Sequence, residues 1–176
     1  MKIRGIFQRA EEANNNNRIY SRPLLEREMQ RLATSLSERR LMGELDHPSH
    51  DSVKLQNVSH LITNLSFKGN EMIGEAELLN TPAGLTAQAL IRGGVKLGIS
   101  SRGMGTIKEA MDGTRVVQED FKLITFDLVA DPSTHGAFPG LKESNALMEE
   151  TVRNTYDRAM GEKVFIALLR NKLRRN

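Results

Sequence analysis

Apolar positions along this chain change their period several times, and each change marks off an element. Residues 2–8 alternate around Ile3 and Phe7, which predicts a strand. Residues 11–17 are a polar loop, and their asparagine run carries no packing pattern. Pro23 stands where helices start, and Leu24, Leu25, Met29, Leu32 and Leu36 recur at helical spacing. They predict an amphipathic helix over 23–38 that lays its leucine face on a sheet. Residues 58–67 and 71–79 are strand-like, and Lys68-Gly69-Asn70 between them is good hairpin chemistry. In the second segment Met72, Gly74, Ala76 and Leu78 lie on one side against Ile73, Glu75 and Glu77 on the other, as in a strand with one wet face.

Thr81-Pro82-Ala83-Gly84 is expected to end that strand, with a short helix over 85–92 closed by Gly93-Gly94. A strand over 95–99 should then run straight into Ser100. Residues 115–117 and 121–129 are the last strong strand signals, and the latter holds a lone Asp127 among Phe121, Leu123, Ile124, Phe126 and Leu128. From 132 to 141 the chain is loop-like. Beyond Ser144 it becomes helical again, with apolar residues from Leu147 to Leu173 scattered among charges. The boundary is placed near Gly140, giving a body over 1–140 and a basic helical tail over 141–176. No internal repeat is found.

A chain of 176 residues suits one domain with an appendage. With 39% hydrophobic and 27% charged residues, the composition is that of a globular protein at the polar end of the range. No apolar run is long enough for a transmembrane helix and the N-terminus has no signal core, so an intracellular protein is expected. The absence of cysteine removes disulfides, zinc-thiolate sites and thiol nucleophiles together. A covalent catalyst would have to use serine or threonine. The net charge of +3 matters less than its placement, because Arg170, Lys172, Arg174 and Arg175 crowd the last positions.

Three groups of residues could carry chemistry. Gly98-Ile99-Ser100-Ser101-Arg102-Gly103 ends an apolar run on two hydroxyls, with glycines that let a ligand approach the backbone. Taken alone, the segment also fits a strand ending in a polar turn. Leu41-Met42-Gly43-Glu44-Leu45-Asp46-His47-Pro48 breaks from an apolar run into acids and histidines. Asp127, an acid inside an apolar strand, must have a partner or face a cleft, and Lys122 and Arg102 could each serve. A metal site from Glu44, Asp46, His47, His50 and Asp51 was weighed against these. It lacks a helical His-x-x-x-His pair, and Pro48 breaks the segment, so no metal or other cofactor is expected. His60 is a second candidate for the orienting position, although a hydrogen-bonded strand histidine facing solvent is the preferred reading.

Gly43-Glu44-Leu45-Asp46-His47-Pro48, followed by Gly98-Ile99-Ser100-Ser101-Arg102-Gly103-Met104-Gly105, resembles the prohead (head-maturation) protease family of contractile-tailed bacteriophages. Ile6-Phe7, Asn17-Arg18-Ile19-Tyr20, Phe67-Lys68-Gly69-Asn70 and Glu119-Asp120-Phe121-Lys122-Leu123 support the resemblance in the same order. So does Asp127 with Val129, Pro132 and Ser133. The similarity runs from Lys2 to Ser133.

The resemblance implies an α+β fold: a mostly antiparallel β-barrel surrounded by helices, similar to herpesvirus assemblins, with a C-terminal helical tail. It implies a serine endopeptidase with His47 as base and Ser100 as nucleophile. Asp127, on a strand 27 positions after Ser100, fits the third member, and Glu44 or His60 are weaker substitutes. Backbone N–H groups in Ser101-Arg102-Gly103 would hold the oxyanion, and Arg102 could act through water or by fixing the loop. Some relatives carry asparagine at the position of Asp46, which speaks against a chemical role there.

Implied substrates are scaffold or core proteins, the major capsid protein precursor and the protease itself, cut inside the prohead in the host cytoplasm by a homo-oligomer, with no membrane and no nucleic acid required. Family members favour glutamate before the cut and an aliphatic residue two positions earlier, so Leu141-Lys142-Glu143 and Leu147-Met148-Glu149 are candidate self-cleavage sites. The competing classes are a non-enzymatic prohead core or scaffold component and a nucleic-acid-binding protein. An aromatic content of 5% without tryptophan gives the latter little for base stacking.

Overall fold

The computed structural model describes residues 1–48 and 50–142. The first strand, β1 (Lys2–Arg9), is followed by a short β2 (Arg18–Ile19) and by helix α1 (Arg22–Ser37). Ser21 caps α1 by accepting the Leu24 N–H at 3.3 Å, and Pro23 sits in the first turn, where its missing N–H costs nothing. Leu24, Leu25 and Leu32 are buried on the core, and Met29 and Leu36 pack against it half-buried, as the helical spacing predicts. Each such leucine stabilises the fold by roughly 1.5–3 kcal/mol.

Glu28 also lies on this buried face, 2% exposed, which hydrophobic periodicity does not anticipate. Its carboxylate accepts from the Leu123 N–H at 2.8 Å and from Arg31 and Arg27 at 2.8 and 3.1 Å. Burial pushes its pKa up, but the Leu123 N–H and the two arginines outweigh that and hold it below the usual glutamate value. The helix is thereby tied to the start of a later strand.

After α1 come β3 (Met42–Glu44), β4 (Val58–Lys68), β5 (Glu71–Leu78), helix α2 (Pro82–Arg92), β6 (Gly98–Met104), β7 (Ile107–Glu109), β8 (Arg115–Val117), β9 (Lys122–Val129) and β10 (Gly140–Leu141). The β4–β5 hairpin turns at Gly69-Asn70, with Lys68 opposite Glu71. In β5 the buried set is Met72, Gly74, Ala76 and Leu78, with the glutamates on the wetter face. Thr81 does not merely end β5; its hydroxyl caps α2 by accepting the Gly84 N–H at 3.1 Å, so the helix starts three residues before the expected 85.

The strands form three sheets: a five-stranded one in the order β10-β1-β5-β4-β3, a three-stranded one in the order β2-β8-β7, and the β6-β9 pair. Pairing is antiparallel except between β2 and β8. The expected closed barrel ringed by helices is therefore corrected: the sheets do not join into one continuous ladder, and two α-helices are present among the described residues. A single parallel bridge, Leu45 to Leu128, connects the β3 segment to β9 in place of a full ladder.

The sheet includes the β10 residue Leu141, opposite Ile3, and the Lys142 N–H donates to the Lys2 carbonyl at 2.9 Å. The expected helical tail lies outside the described residues. No helix among the described residues is long and apolar enough to cross a membrane.

Candidate active site

The serine pair lies inside β6, not in a turn after a strand. Antiparallel pairing sets Ser100 directly opposite Asp127 and Ser101 directly opposite Phe126. Because successive strand side chains project to opposite faces, the two serines are separated by one step of the pleat. Ser100 shares its face with Arg102 and Asp127. Ser101 shares its face with Phe126, whose ring centroid is 5.3 Å from that of Phe7 on β1. There the Ser101 hydroxyl accepts from Gln8 Nε2 at 3.1 Å.

His47 reaches the same face by another route. The chain leaving β3 runs along β9, where Leu45 bridges Leu128 and the Asp46 N–H donates to the Leu128 carbonyl at 2.7 Å. Asp46 then takes a left-handed conformation with φ of 65°, a region in which Asp and Asn are the favoured non-glycine residues. Asparagine would meet the same backbone requirement. The turn delivers His47 beside Asp127, and Nδ1 donates to Asp127 Oδ2 at 2.9 Å. That bond commits the second ring nitrogen, Nε2, to the open side, where the His47 side chain is 41% exposed.

Asp127 is fully buried, and its carboxylate takes polar partners besides His47. Oδ1 accepts from the Glu44 N–H at 3.0 Å and from Arg102 Nη2 at 3.1 Å. Arg102 Nε lies 2.8 Å from Oδ2 and Arg102 Nη2 lies 2.8 Å from Glu44 Oε2. Neither Nε nor Glu44 Oε2 makes an aligned hydrogen bond, so these two contacts are Coulombic. Of the two partners open to Asp127 on sequence, Arg102 takes the place and Lys122 is exposed at the strand's start.

Ser100, Ser101, Arg102 and Gly103 line a cleft of about 310 Å³ together with His47, Arg18 and Ser133. The Ser100 hydroxyl lies 3.2 Å from that of Ser133. The segment carrying Ser133 crosses β6 at Gly98, where a Cβ would stand 2.4 Å from the Pro132 ring, so only glycine lets the two chains approach. Asn15 holds the same segment, its N–H donating to the Ser133 carbonyl at 2.8 Å and its side chain to the Pro132 carbonyl at 3.1 Å.

This constellation can do general-base chemistry on a hydroxyl: a buried carboxylate fixes an imidazole tautomer, and a serine stands on the carboxylate's face of the ladder. The sequence matches, over residues 1–149, the family described as prohead core protein serine protease. The chain belongs to that family. It is 34% identical over 145 residues to the prohead core protein protease of Enterobacteria phage T4, a match covering 80% of this chain and 68% of that protein. Its fold matches the structure of the bacteriophage T4 capsid assembly protease with a TM-score of 0.72 at 32% identity, covering 74% of this chain and 82% of that one.

Within this prohead protease several expected site residues take other surroundings. Gly103 is not free space for a substrate, since a Cβ there would stand 2.5 Å from the Phe121 ring. The Arg102 guanidinium is buried and held by Asp127, Glu44 and the His50 and Ser52 carbonyls, the latter two at 3.1 and 3.2 Å. His60 does not face solvent. It is fully buried, its Nε2 donating to the Phe126 carbonyl at 3.0 Å and its Nδ1 within 2.9 Å of the Ser59 hydroxyl. Burial lowers its pKa to about 4, against the opposing pull of Asp127 and the Phe126 carbonyl, which keeps the ring neutral near pH 7. Among the described residues no group of three or more His, Asp or Glu is placed to hold a metal ion.

Sequence reasoning missed Gln8, Asn15, Arg18 and Ser133 as site residues. Asn14 Oδ1 accepts from the Asn16 and Arg18 N–H groups at 2.9 and 3.0 Å, so the asparagine run is a folded turn that presents Arg18 to the cleft. Arg18 Nε is buried there without a hydrogen-bond partner. The available signal was the asparagines' side-chain chemistry, which satisfies backbone groups locally and leaves no hydrophobic period.

Proposed function

We propose that this prohead protease is a serine endopeptidase that cuts scaffold and capsid precursor proteins, and itself, within the assembling prohead. The reading rests on one relationship: His47 Nδ1 donates to the buried Asp127 carboxylate at 2.9 Å, and Asp127 stands opposite Ser100. In the proposed reaction Ser100 Oγ attacks the scissile carbonyl while His47 Nε2 takes its proton. The ring then returns that proton to the leaving amine. Asp127 fixes the tautomer and stabilises the imidazolium without accepting its proton. Backbone N–H groups of the 101–103 segment would receive the oxyanion, each such donor being worth about 3 kcal/mol in the transition state. Ser133 holds the resting Ser100 hydroxyl, which must turn toward His47 when substrate enters.

Arg18 supports the expected preference for glutamate before the cut, because it lines the same cleft as Ser100 and brings a positive charge to it. Of the two candidate self-cleavage sites, Leu141-Lys142-Glu143 begins within β10, so the chain would have to leave the sheet to be cut there.

The test is labelling with a fluorophosphonate, which reacts with activated serines, together with processing of purified scaffold protein. Wild-type chain should be labelled once and cut scaffold, and Ser100→Ala should do neither. Labelling that persists in Ser100→Ala and vanishes in Ser101→Ala would overturn the assignment.

A further inference from the structure

Glu44 and Arg102 form a buried ion pair behind Asp127 that the proposed acid, base and nucleophile do not account for. Glu44 is 0% exposed and Arg102 8%. Burying three ionised groups is costly, and well-packed apolar residues of similar volume are often at least as stable, so the cluster calls for a role other than stability. Two consequences follow from the contacts.

The first is mechanical. Arg102 Nη1 donates to the His50 and Ser52 carbonyls, and Glu44 Oε1 accepts the Lys54 N–H at 2.7 Å. Glu44 itself precedes His47 by three residues, and its N–H is bound to Asp127. The segment bearing His47 is thus held before and after the ring by one guanidinium and two carboxylates.

The second is a charge count. Asp127 and Glu44 carry two negative charges and Arg102 one positive, which leaves one negative charge in the buried cluster while His47 is neutral. Proton transfer to His47 brings the sum to zero. Without Glu44, Arg102 alone would neutralise Asp127, and an imidazolium would face a cluster with no charge to offset it. His60, also packed near Asp127, stays neutral and does not enter the count. The other ionisable groups around His47 are Arg18 and Asp131 in the cleft lining and Asp46 and His50 on its own segment, and none of these is changed in the variants below.

We infer that Glu44 and Arg102 are positioning residues of the site: Arg102 clamps the His47 segment, and Glu44 offsets Arg102 so that the charge of Asp127 remains available to the His47 imidazolium. This inference rests on the proposed roles of His47 and Asp127, and its test separates the two.

The variants Glu44→Gln, Arg102→Gln and the double Glu44→Gln/Arg102→Gln change the cluster's charge by +1, −1 and 0 while keeping side-chain size close. The titration midpoint of the His47 ring, followed by NMR in a Ser100→Ala background, should move to lower pH by about one unit in Glu44→Gln. It should move to higher pH by a similar amount in Arg102→Gln and return near the parent value in the double variant. In the Ser100-containing proteins, Glu44→Gln should slow fluorophosphonate labelling about tenfold or more.

A purely structural pair would move the midpoint in no such signed order, so equal midpoints, or shifts of one sign in both single variants, overturn the inference. If Glu44→Gln fails to fold, the upward shift in Arg102→Gln and its reversal in Arg102→Met/Glu44→Met carry the same test. Failure of the proposed function shows separately, as fluorophosphonate labelling of wild type that survives His47→Gln.

Discussion

Ser100 and Asp127 are direct cross-strand partners in the β6–β9 pair, and the His47 ring is bonded to the buried Asp127 carboxylate, 2.9 Å from Oδ2. The distance in sequence between these residues is closed by three simple devices: one antiparallel register, one parallel bridge from Leu45 to Leu128, and one left-handed residue at Asp46. Each is a backbone feature, and together they place His47 where no side-chain search is needed. Together with the Asp127 bond, these features orient the His47 ring as the proposed general-base role would require.

Asp127→Asn tests the orienting role. The amide could present its N–H to His47 Nδ1 and so favour the wrong tautomer, and it would leave Arg102 facing Glu44 alone. Activity on scaffold protein should fall by about 10⁴-fold with little change in KM, the scale of this replacement in other triads. Because a buried ion pair is broken, stability should fall as well, by roughly 3 kcal/mol. Initial rates and a denaturant titration on the same preparation check both. Turnover within a few-fold of wild type would reduce Asp127 to a structural acid.

Ser101→Ala separates the two hydroxyls. Ser101 faces Gln8, whose own carboxamide oxygen accepts from Thr134, so the change removes one link in a buried chain of polar contacts. A loss of about 1 kcal/mol in stability is expected, with fluorophosphonate labelling retained within about tenfold. A melting curve and a labelling time course suffice. Loss of all labelling with unchanged stability would reassign the nucleophile.

The contrast between these serines shows how far the chain could be read without coordinates. Period-2 and helical patterns located α1, β4, β5 and β9 closely, because those elements bury one face and their sequences must advertise it. The pairing of Gly43-Glu44-Leu45-Asp46-His47-Pro48 with the Ser100 segment pointed, through resemblance, to residues that the fold brings together around Asp127. Short β2, β7 and β10 were missed, since strands of two or three residues have no period to show. Glu28, Glu44 and His60 misled for the opposite reason. A polar residue buried by satisfied bonds looks, in sequence, the same as one in water. Arg102 was one of two partners open to Asp127, and the β6–β9 register, which puts Arg102 on the same face as Ser100 and Asp127, decides between them.

Arg18→Glu tests the cleft's charge. If Arg18 binds a glutamate preceding the scissile bond, reversal should lower kcat/KM for a peptide with that glutamate by about 10²-fold, the worth of one charge-assisted contact. A matched peptide with lysine at the same position should improve. Parallel assays of the two peptides on wild type and variant decide it, since simple damage to the fold would depress both.

The last expectation concerns pH and stability. His60 has a pKa near 4 in the folded protein, against 6.5 for a free histidine, chiefly because burial disfavours the charged ring. Between these values the unfolded chain binds a proton that the folded chain refuses. The stability gained from a neutral His60 is therefore fully present above pH 6.5 and is lost progressively as pH falls toward 4. The full effect is of the order of 3 kcal/mol. Denaturant unfolding from pH 7 to 5 should show stability falling with pH before most carboxylates titrate. In His60→Gln, whose amide can still donate toward the Phe126 carbonyl, that slope should flatten. An unchanged slope in His60→Gln would mean that the acid sensitivity arises elsewhere.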